Sequence, residues 1–283
     1  MSAHTQQVDA LIVGGGVAGM TLALWLTGLA RTWLIVEREA ELGGCLRDSQ
    51  YPLKWIPAFE QISGQDYVAK MRAQLDPTHC LLASEITTIE RGDTWRCQLS
   101  NGHRIEARKI VFACGATPYS PYPPHPRLIV GPGMQKIAVI GPMHRVAVLG
   151  GGDNAFEHAL ILAERGCQVD LYCRSKFRAS AVMYIAVKQS NIALYENTHL
   201  EQPSLLDNKV VLNQQEYDYA CIYYGYQPSS IISQYSVLFE DQALQQLHAD
   251  IAVIGDMNGG AFPNVLSSQG QAAELAKCLD EGL

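Results

Sequence analysis

An α/β fold of two Rossmann-like, three-layer (ββα) dinucleotide-binding units, the second inserted in the first, is predicted by three observations. Val13-Gly14-Gly15-Gly16-Val17-Ala18-Gly19 and Leu149-Gly150-Gly151-Gly152-Asp153-Asn154-Ala155 are Gly-rich turns about 136 residues apart. Each turn follows an apolar run of β character and opens a helical pattern. Beyond residue 228 the chain returns to strand and helix patterns, which closes the first unit around the second. In such a turn the first glycine permits a tight strand-to-helix bend. The second lets the backbone approach a pyrophosphate, and the third lets helix and strand pack closely. A phosphate then meets unpaired N–H groups at the positive end of the helix.

The elements follow in order. Asp9–Val13 is the first strand and about Val17–Gly28 the first helix. Trp33–Val36 is the second strand. It ends in Glu37, 23 residues after Gly14, where an acid suits a ribose hydroxyl pair. A helix near Gly64–Gln74 precedes a β-meander: Cys80–Thr88, Trp95–Leu99 and Arg104–Glu106, with Ser100-Asn101-Gly102 as a turn. The strand Lys109–Ala113 leads into Cys114-Gly115-Ala116-Thr117-Pro118, and Pro118–Pro126 reads as a linker. In the second unit the strands are Arg145–Leu149, Gln168–Tyr172 and Ala220–Tyr224, and Gly225-Tyr226-Gln227-Pro228 leads back. Ile251–Asp256 and a helix over about Leu266–Leu279 finish the chain. The expected domains are therefore 1–117 with 228–283, and 118–227.

A chain of 283 residues, 48% hydrophobic, can bury a core for about two domains. Its net charge of −7 argues against nucleic acid or an anionic membrane as partner. No apolar run approaches the roughly 20 residues that span a bilayer. The first residues lack a basic leader pattern, so a cytoplasmic location is the expectation. Eight cysteines stand at 45, 80, 97, 114, 167, 173, 221 and 278, no two of them separated by two intervening residues. That excludes a C-x-x-C redox pair and zinc-type spacing. The histidines likewise show no metal spacing, and His144 and His158 read as structural or solvent-facing.

Together these motifs resemble the low-molecular-weight thioredoxin reductase family, within the class II pyridine nucleotide-disulfide oxidoreductase superfamily. The resemblance runs over nearly the whole chain. It rests on the Gly14–Gly19 turn, Glu37, Leu42-Gly43-Gly44, Ser63-Gly64-Gln65-Asp66 with Met71-Arg72, Cys114–Pro118, the Gly150–Ala155 turn with Glu157, Phe177-Arg178-Ala179, Gly225–Pro228 and Ile254-Gly255-Asp256. It implies FAD bound by Gly14, Gly16, Val17, Ala18, Gly19, Glu37, Arg38, Gly44, Cys45, Trp55, Ile86, Cys114, Gly115, Gly255, Asp256, Asn264 and Val265. Asp256 would hold the ribityl chain. Pro263-Asn264 and Val265 would offer backbone N–H groups to the flavin pyrimidine end. It also implies NADPH, with NADH left open, on Gly150, Gly152, Asp153, Asn154, Ala155, Arg174 and Arg178. No catalytic side chain and no metal ligand is assigned.

The departures carry as much weight. The family's C-x-x-C lies just before the second turn, and here Gly133–Pro142 holds no cysteine. A dithiol–disulfide relay needs an attacking thiolate and a resolving thiol, so the family's route is closed. Cys45 reads as a small side chain packed under the cofactor. One basic position of the NADPH segment is Cys173, while Arg174 and Arg178 keep guanidinium forks suited to a 2′-phosphate. Trp55 either packs at the isoalloxazine or fills the core. Lys54 either stabilises reduced flavin at N1 or N5 or is a solvated surface lysine, and Tyr51 and Tyr119 have similar ambiguity. The leading expectation is an FAD-dependent NAD(P)H oxidoreductase, a homodimer, passing electrons to an external acceptor: ferredoxin or flavodoxin, a small disulfide, a quinone-like molecule or O₂. The alternatives are an O₂-dependent flavin oxidase of an organic substrate that does not use NADPH, and a non-catalytic flavin-binding regulatory protein.

Overall fold

The computed structural model describes residues 5–49, 52–53, 55–206, 208–229, 250–259 and 263–282. The chain divides into two compact units, Met1–Ala116 with Pro228–Leu283, and Thr117–Gln227.

In the first unit β1 (Thr5–Val13), β2 (Trp33–Val36), β3 (Cys80–Leu81), β4 (Ile86–Arg91), β5 (Trp95–Leu99), β6 (Arg104–Phe112) and β17 (Ile251–Val253) form one sheet. Its order is β3-β2-β1-β6-β5-β4, with β17 also on β6. β1, β2, β3, β6 and β17 run parallel, whereas β4, β5 and β6 form an antiparallel meander. β6 serves both: Arg104–Ala107 pair with β5 and Ile110–Phe112 with β17. Ala10–Val13 are buried on both sides, as strands covered on two faces must be. One face takes Ala10, Ile12 and Ile35 against α1 (Val17–Gly28) and α5 (Val265–Glu281). The other takes Leu11, Val13 and Leu34 against Trp95, Leu99 and Ile105 of the meander. α2 (Gly64–Arg72) starts at Ser63, whose Oγ accepts the Asp66 N–H.

Three sequence readings change. The expected strand Cys80–Thr88 is two strands, broken at 82–85, where Ala83 takes a positive φ of 47°. The two segments Arg104–Glu106 and Lys109–Ala113 are the single strand β6. The last helix gains residues at both ends. A capping box holds its start: Asn264 Oδ1 accepts the Ser267 N–H at 2.9 Å, and Ser267 Oγ accepts the Asn264 N–H at 3.1 Å.

The second unit repeats the plan. β8 (Leu128–Val130), β9 (Arg145–Leu149), β10 (Gln168–Tyr172), β11 (Ala193–Tyr195) and β15 (Tyr219–Ile222) form a parallel sheet in the order β11-β10-β9-β15-β8. α3 (Asp153–Glu164) and α4 (Ala181–Lys188) bury Phe156, Leu162 and Val187 against Val146, Val148 and Leu171. The meander β12 (Ser204–Leu206), β13 (Lys209–Leu212) and β14 (Gln215–Tyr217) covers the other face with Val210, Leu212 and Tyr217. Beneath it Asp170 is 4% exposed. Its carboxylate accepts the Tyr217 hydroxyl at 2.7 Å and pairs with Arg145 at 2.9 Å, which offsets the cost of burying the charge. β7 (Ala116–Pro118) and β16 (Tyr226–Pro228), the two chain passages at the unit boundary, pair with each other.

Candidate functional site

The first turn joins β1 to α1. Gly14 has φ 106°, and a side chain there would press on the Ala113 carbonyl oxygen at the end of the neighbouring strand β6, 2.6 Å from its Cβ. A Cβ at Gly19 would collide with the Gly14 carbonyl oxygen, so α1 lies directly on the turn. Gly16 differs: it is the helix N-cap, and the nearest atom to a Cβ there is the Gly44 Cα at 3.9 Å. No side chain caps α1, and its first turn holds no acid. The first N–H groups of a helix have no partner inside it. Beside Gly16 there is thus space and a positive helix end, which fits a pyrophosphate.

Glu37 closes one side. It is buried, and its two carboxylate oxygens accept the Gly15 N–H at 2.7 Å and the Glu39 N–H at 2.9 Å. Each oxygen keeps a further lone pair for a ribose hydroxyl. The loop Leu42-Gly43-Gly44 lies on the turn through Gly43 N–H to Gly15 O at 2.8 Å. The end of β17, which pairs with β6 beside β1, adds Gly255 and Asp256. A Cβ at Gly255 would stand 3.0 Å from that of Ala18, so this turn sits against the start of α1. Asp256 Oδ1 accepts Ser268 Oγ–H at 3.2 Å, and burial raises its carboxyl pKa against that bond. Cys45 is accessible to solvent yet crowded, and burial and then the charge of Asp256 push its thiol up. Cys114 Sγ donates to Val13 O at 3.2 Å, and burial pushes its thiol up to about 12. Neither is a thiolate at neutral pH, so neither is an activated nucleophile.

The remaining expected residues of this unit fall as follows. Arg38 is exposed beside Glu39 at 3.5 Å. Gly115 has φ 65° with open space around it. Trp55 is 83% exposed and does not fill the core. Ile86 is buried with Leu34 and Leu99. Asn264 spends its N–H on Ser267 within the capping box, which leaves Val265 as the next N–H in that segment. Tyr51 and Lys54 lie outside the described residues.

The second turn joins β9 to α3 in the same manner. Gly150 has φ 153°, and a Cβ there would stand 2.6 Å from the Tyr223 carbonyl oxygen. Gly152 is the N-cap, with nothing within 4 Å of a Cβ and no capping side chain. Ala155 replaces a third glycine and is buried against Phe156 and Ala159. The loop after β10 folds back over this turn: the Arg178 N–H donates to Gly151 O at 2.7 Å, and the Ser180 N–H to Asp153 Oδ1 at 2.6 Å. Cys173 packs its sulfur beneath Gly151. Asn154 O is met by Nδ1 of the buried His158 at 2.8 Å, and Nε2 of that ring accepts the Gly133 N–H at 3.0 Å. Burial lowers the His158 pKa and keeps the ring neutral.

Arg174 and Arg178 are exposed and form no ion pair among the described residues. Lys176, between them, is a third exposed cation that the sequence reading passed over. Also missed was Glu196, which follows the neighbouring strand β11 and accepts the Phe177 N–H at 2.6 Å. Its signal was faint: a lone acid 19 residues from its partner, seen only once β10 and β11 pair. Among the described residues no cluster of His, Cys, Asp or Glu could hold a metal ion, and no helix is long and apolar enough to cross a membrane.

Two sheet-and-helix units with an open glycine turn each define a protein of the two-dinucleotide-binding type. The chain belongs to the pyridine nucleotide-disulphide oxidoreductase family, whose model matches residues 8–272. It is 31% identical over 196 residues to a ferredoxin--NADP reductase of Frankia alni, covering 65% of this chain and 60% of that one. A thioredoxin reductase of Treponema pallidum is 30% identical over 203 residues, 68% of this chain and 65% of that protein. Matches to three such ferredoxin--NADP reductases cover between 55 and 60% of those proteins' lengths. In fold, the Lactococcus lactis thioredoxin reductase superposes with a TM-score of 0.82 at 21% identity, over 98% of this chain and 100% of that one.

Proposed function

We propose that this protein is an FAD-dependent NAD(P)H oxidoreductase that hands electrons from reduced flavin directly to an external acceptor, a ferredoxin or flavodoxin. The observation that carries the reading is the pair of open, uncapped helix starts at Gly16 and Gly152, each behind a glycine that a neighbouring carbonyl keeps bare. FAD, bound at the first, supplies hydride acceptance and onward one-electron transfer. Gly16–Gly19 and Glu37 hold its pyrophosphate and ribose, and Asp256 its ribityl hydroxyls. The second turn and the cations Arg174, Lys176 and Arg178 orient NADPH. The names of the relatives support ferredoxin as acceptor, and the cysteine spacing speaks against an internal disulfide relay of the C-x-x-C kind.

The test is anaerobic titration of the purified protein with NADPH and NADH, followed by ferredoxin-coupled electron transfer. NADPH should bleach the flavin band and ferredoxin should restore it. No bleaching by either nucleotide rejects the reading in favour of an O₂-dependent flavin oxidase, the alternative that the loss of a basic residue to Cys173 favours.

Two finer points belong to the same reading. Eight free cysteines suit a reducing compartment, the cytoplasm. A homodimer is supported by exposed Leu24, Trp25 and Phe59 on the first unit, and light scattering reads its mass.

A further inference from the structure

We infer that Glu196 weakens the preference of the second turn for a nucleotide bearing a 2′-phosphate, so that the protein discriminates NADPH from NADH less sharply than its three loop cations would allow. The inference rests on the nicotinamide reading of that turn. β11 lies beside β10, and the segment after it runs along the loop that follows β10. The Cys173 N–H donates to Tyr195 O at 2.9 Å, the Asn197 N–H to Ser175 O at 3.2 Å and the Thr198 N–H to Cys173 O at 3.0 Å. In the middle of this lacing Glu196 Oε1 accepts the Phe177 N–H at 2.6 Å. Phe177 is flanked by Lys176 and Arg178, so a carboxylate is fixed within the span of residues 174–178 that carries the cations.

The backbone bonds alone tie residues 195–198 to residues 173–175, and Phe177 is further held by its ring, edge-on to Phe156 at 5.0 Å. What Glu196 adds beyond order is one negative charge. The charged residues on the elements packed against it are Arg174, Lys176 and Arg178 on the loop after β10 and Asp153 at the start of α3. Asp153 is already engaged by the Ser180 N–H, whereas Glu196 is exposed and its second oxygen accepts no hydrogen bond among the described residues. On the nicotinamide reading, a 2′-phosphate drawn to the cations of residues 174–178 comes to the loop that Glu196 is bonded to, and like charges repel. The ribose hydroxyl of NADH carries no such charge. It can instead donate a hydrogen bond to the second oxygen of Glu196.

Glu196→Gln isolates the charge, because the glutamine carbonyl still accepts the Phe177 N–H. Equilibrium binding of NADPH and NADH to protein whose bound flavin has first been fully reduced with dithionite, so that no hydride transfer follows, should show by calorimetry NADPH binding about three- to tenfold tighter in this variant at low salt. NADH binding should be unchanged or slightly weaker, and the NADPH gain should shrink as salt rises. Glu196→Ala loses the acceptor as well. It should also raise the ratio of NADPH to NADH affinity, even if both nucleotides bind more weakly. A ratio within twofold of the parent in both variants overturns the inference while the nicotinamide reading stands. Failure of the parent protein to bind either nucleotide overturns both.

Discussion

At Gly14 and at Gly150 the chain meets the same obstacle, the carbonyl oxygen of a neighbouring strand end, 2.6 Å from where a Cβ would stand. At the fourth and sixth positions the two turns part. Gly19 lets α1 rest on the Gly14 carbonyl, whereas α3 carries the methyl group of Ala155 at that place, 3.2 Å from where a Cβ on Gly150 would stand. The acids also differ. The first turn is held by Glu37 from the end of β2, through the Gly15 N–H. The second has Cys173 at that place, packed under Gly151, and an acid, Asp153, inside the helix itself. The shared steric element makes the bend, and on the proposed reading the divergent elements would choose the ligand. The buried carboxylate by the first turn would select a ribose diol. The exposed trio of cations by the second would gather an added phosphate.

The largest effect should come from breaking the shared element. Gly14→Ala and Gly150→Ala each place a methyl against a backbone oxygen at positive φ, and each should cost about 3 kcal/mol or more in unfolding free energy. Gly152→Ala, with open space and a φ of −102°, should stay within about 1 kcal/mol of the parent. Urea unfolding measures all three. If Gly14→Ala is as mild as Gly152→Ala, the parallel between the turns is only pictorial.

The sequence disclosed the turns because their cause is local: a bend of a few residues that only glycine tolerates, bracketed by an apolar strand and a helix. Glu37 was legible for a similar reason, since it follows the end of β2 at a set distance from the first turn, whereas Asp256 was legible only through the family's Gly-Asp motif. The second unit's outer meander was not. β12, β13 and β14 are three or four residues each, too short for alternation to stand out, and β12 is exposed throughout. Asn264 read as a backbone donor to a ligand because its role as N-cap depends on Ser267 turning back to it. Glu196 and Phe177 meet only through strand pairing, which no local pattern encodes.

A smaller and sharper effect should separate the two open positions. Gly16→Val and Gly152→Val put a branched side chain into the space above a helix start without pressing on backbone. Both proteins should fold, with parental circular dichroism. Gly16→Val should purify colourless. Gly152→Val should purify yellow but lose bleaching by NADPH. A fully yellow Gly16→Val protein removes the first turn from the flavin site, and an exchange of the two phenotypes reverses the assignment of the units.

The smallest effect probes the divergent element alone. Arg174 is exposed, follows β10, and pairs with no acid among the described residues. A charge-assisted bond from one guanidinium to a phosphate contributes about 1.5–3 kcal/mol. Arg174→Ala should therefore weaken NADPH by roughly one to two orders of magnitude. NADH has no 2′-phosphate and should bind nearly as before. Lys176 and Arg178 remain in the same loop, so the loss should lie toward the lower end, and added salt should shrink it further. The loop's own order does not depend on Arg174, because Arg178 and Ser180 fasten it to Gly151 and Asp153 through their backbone N–H groups. Equal losses for NADPH and NADH would therefore mark Arg174 as part of the turn's structure rather than its phosphate recognition, and the contrast between a diol-selecting first turn and a phosphate-gathering second one would fail.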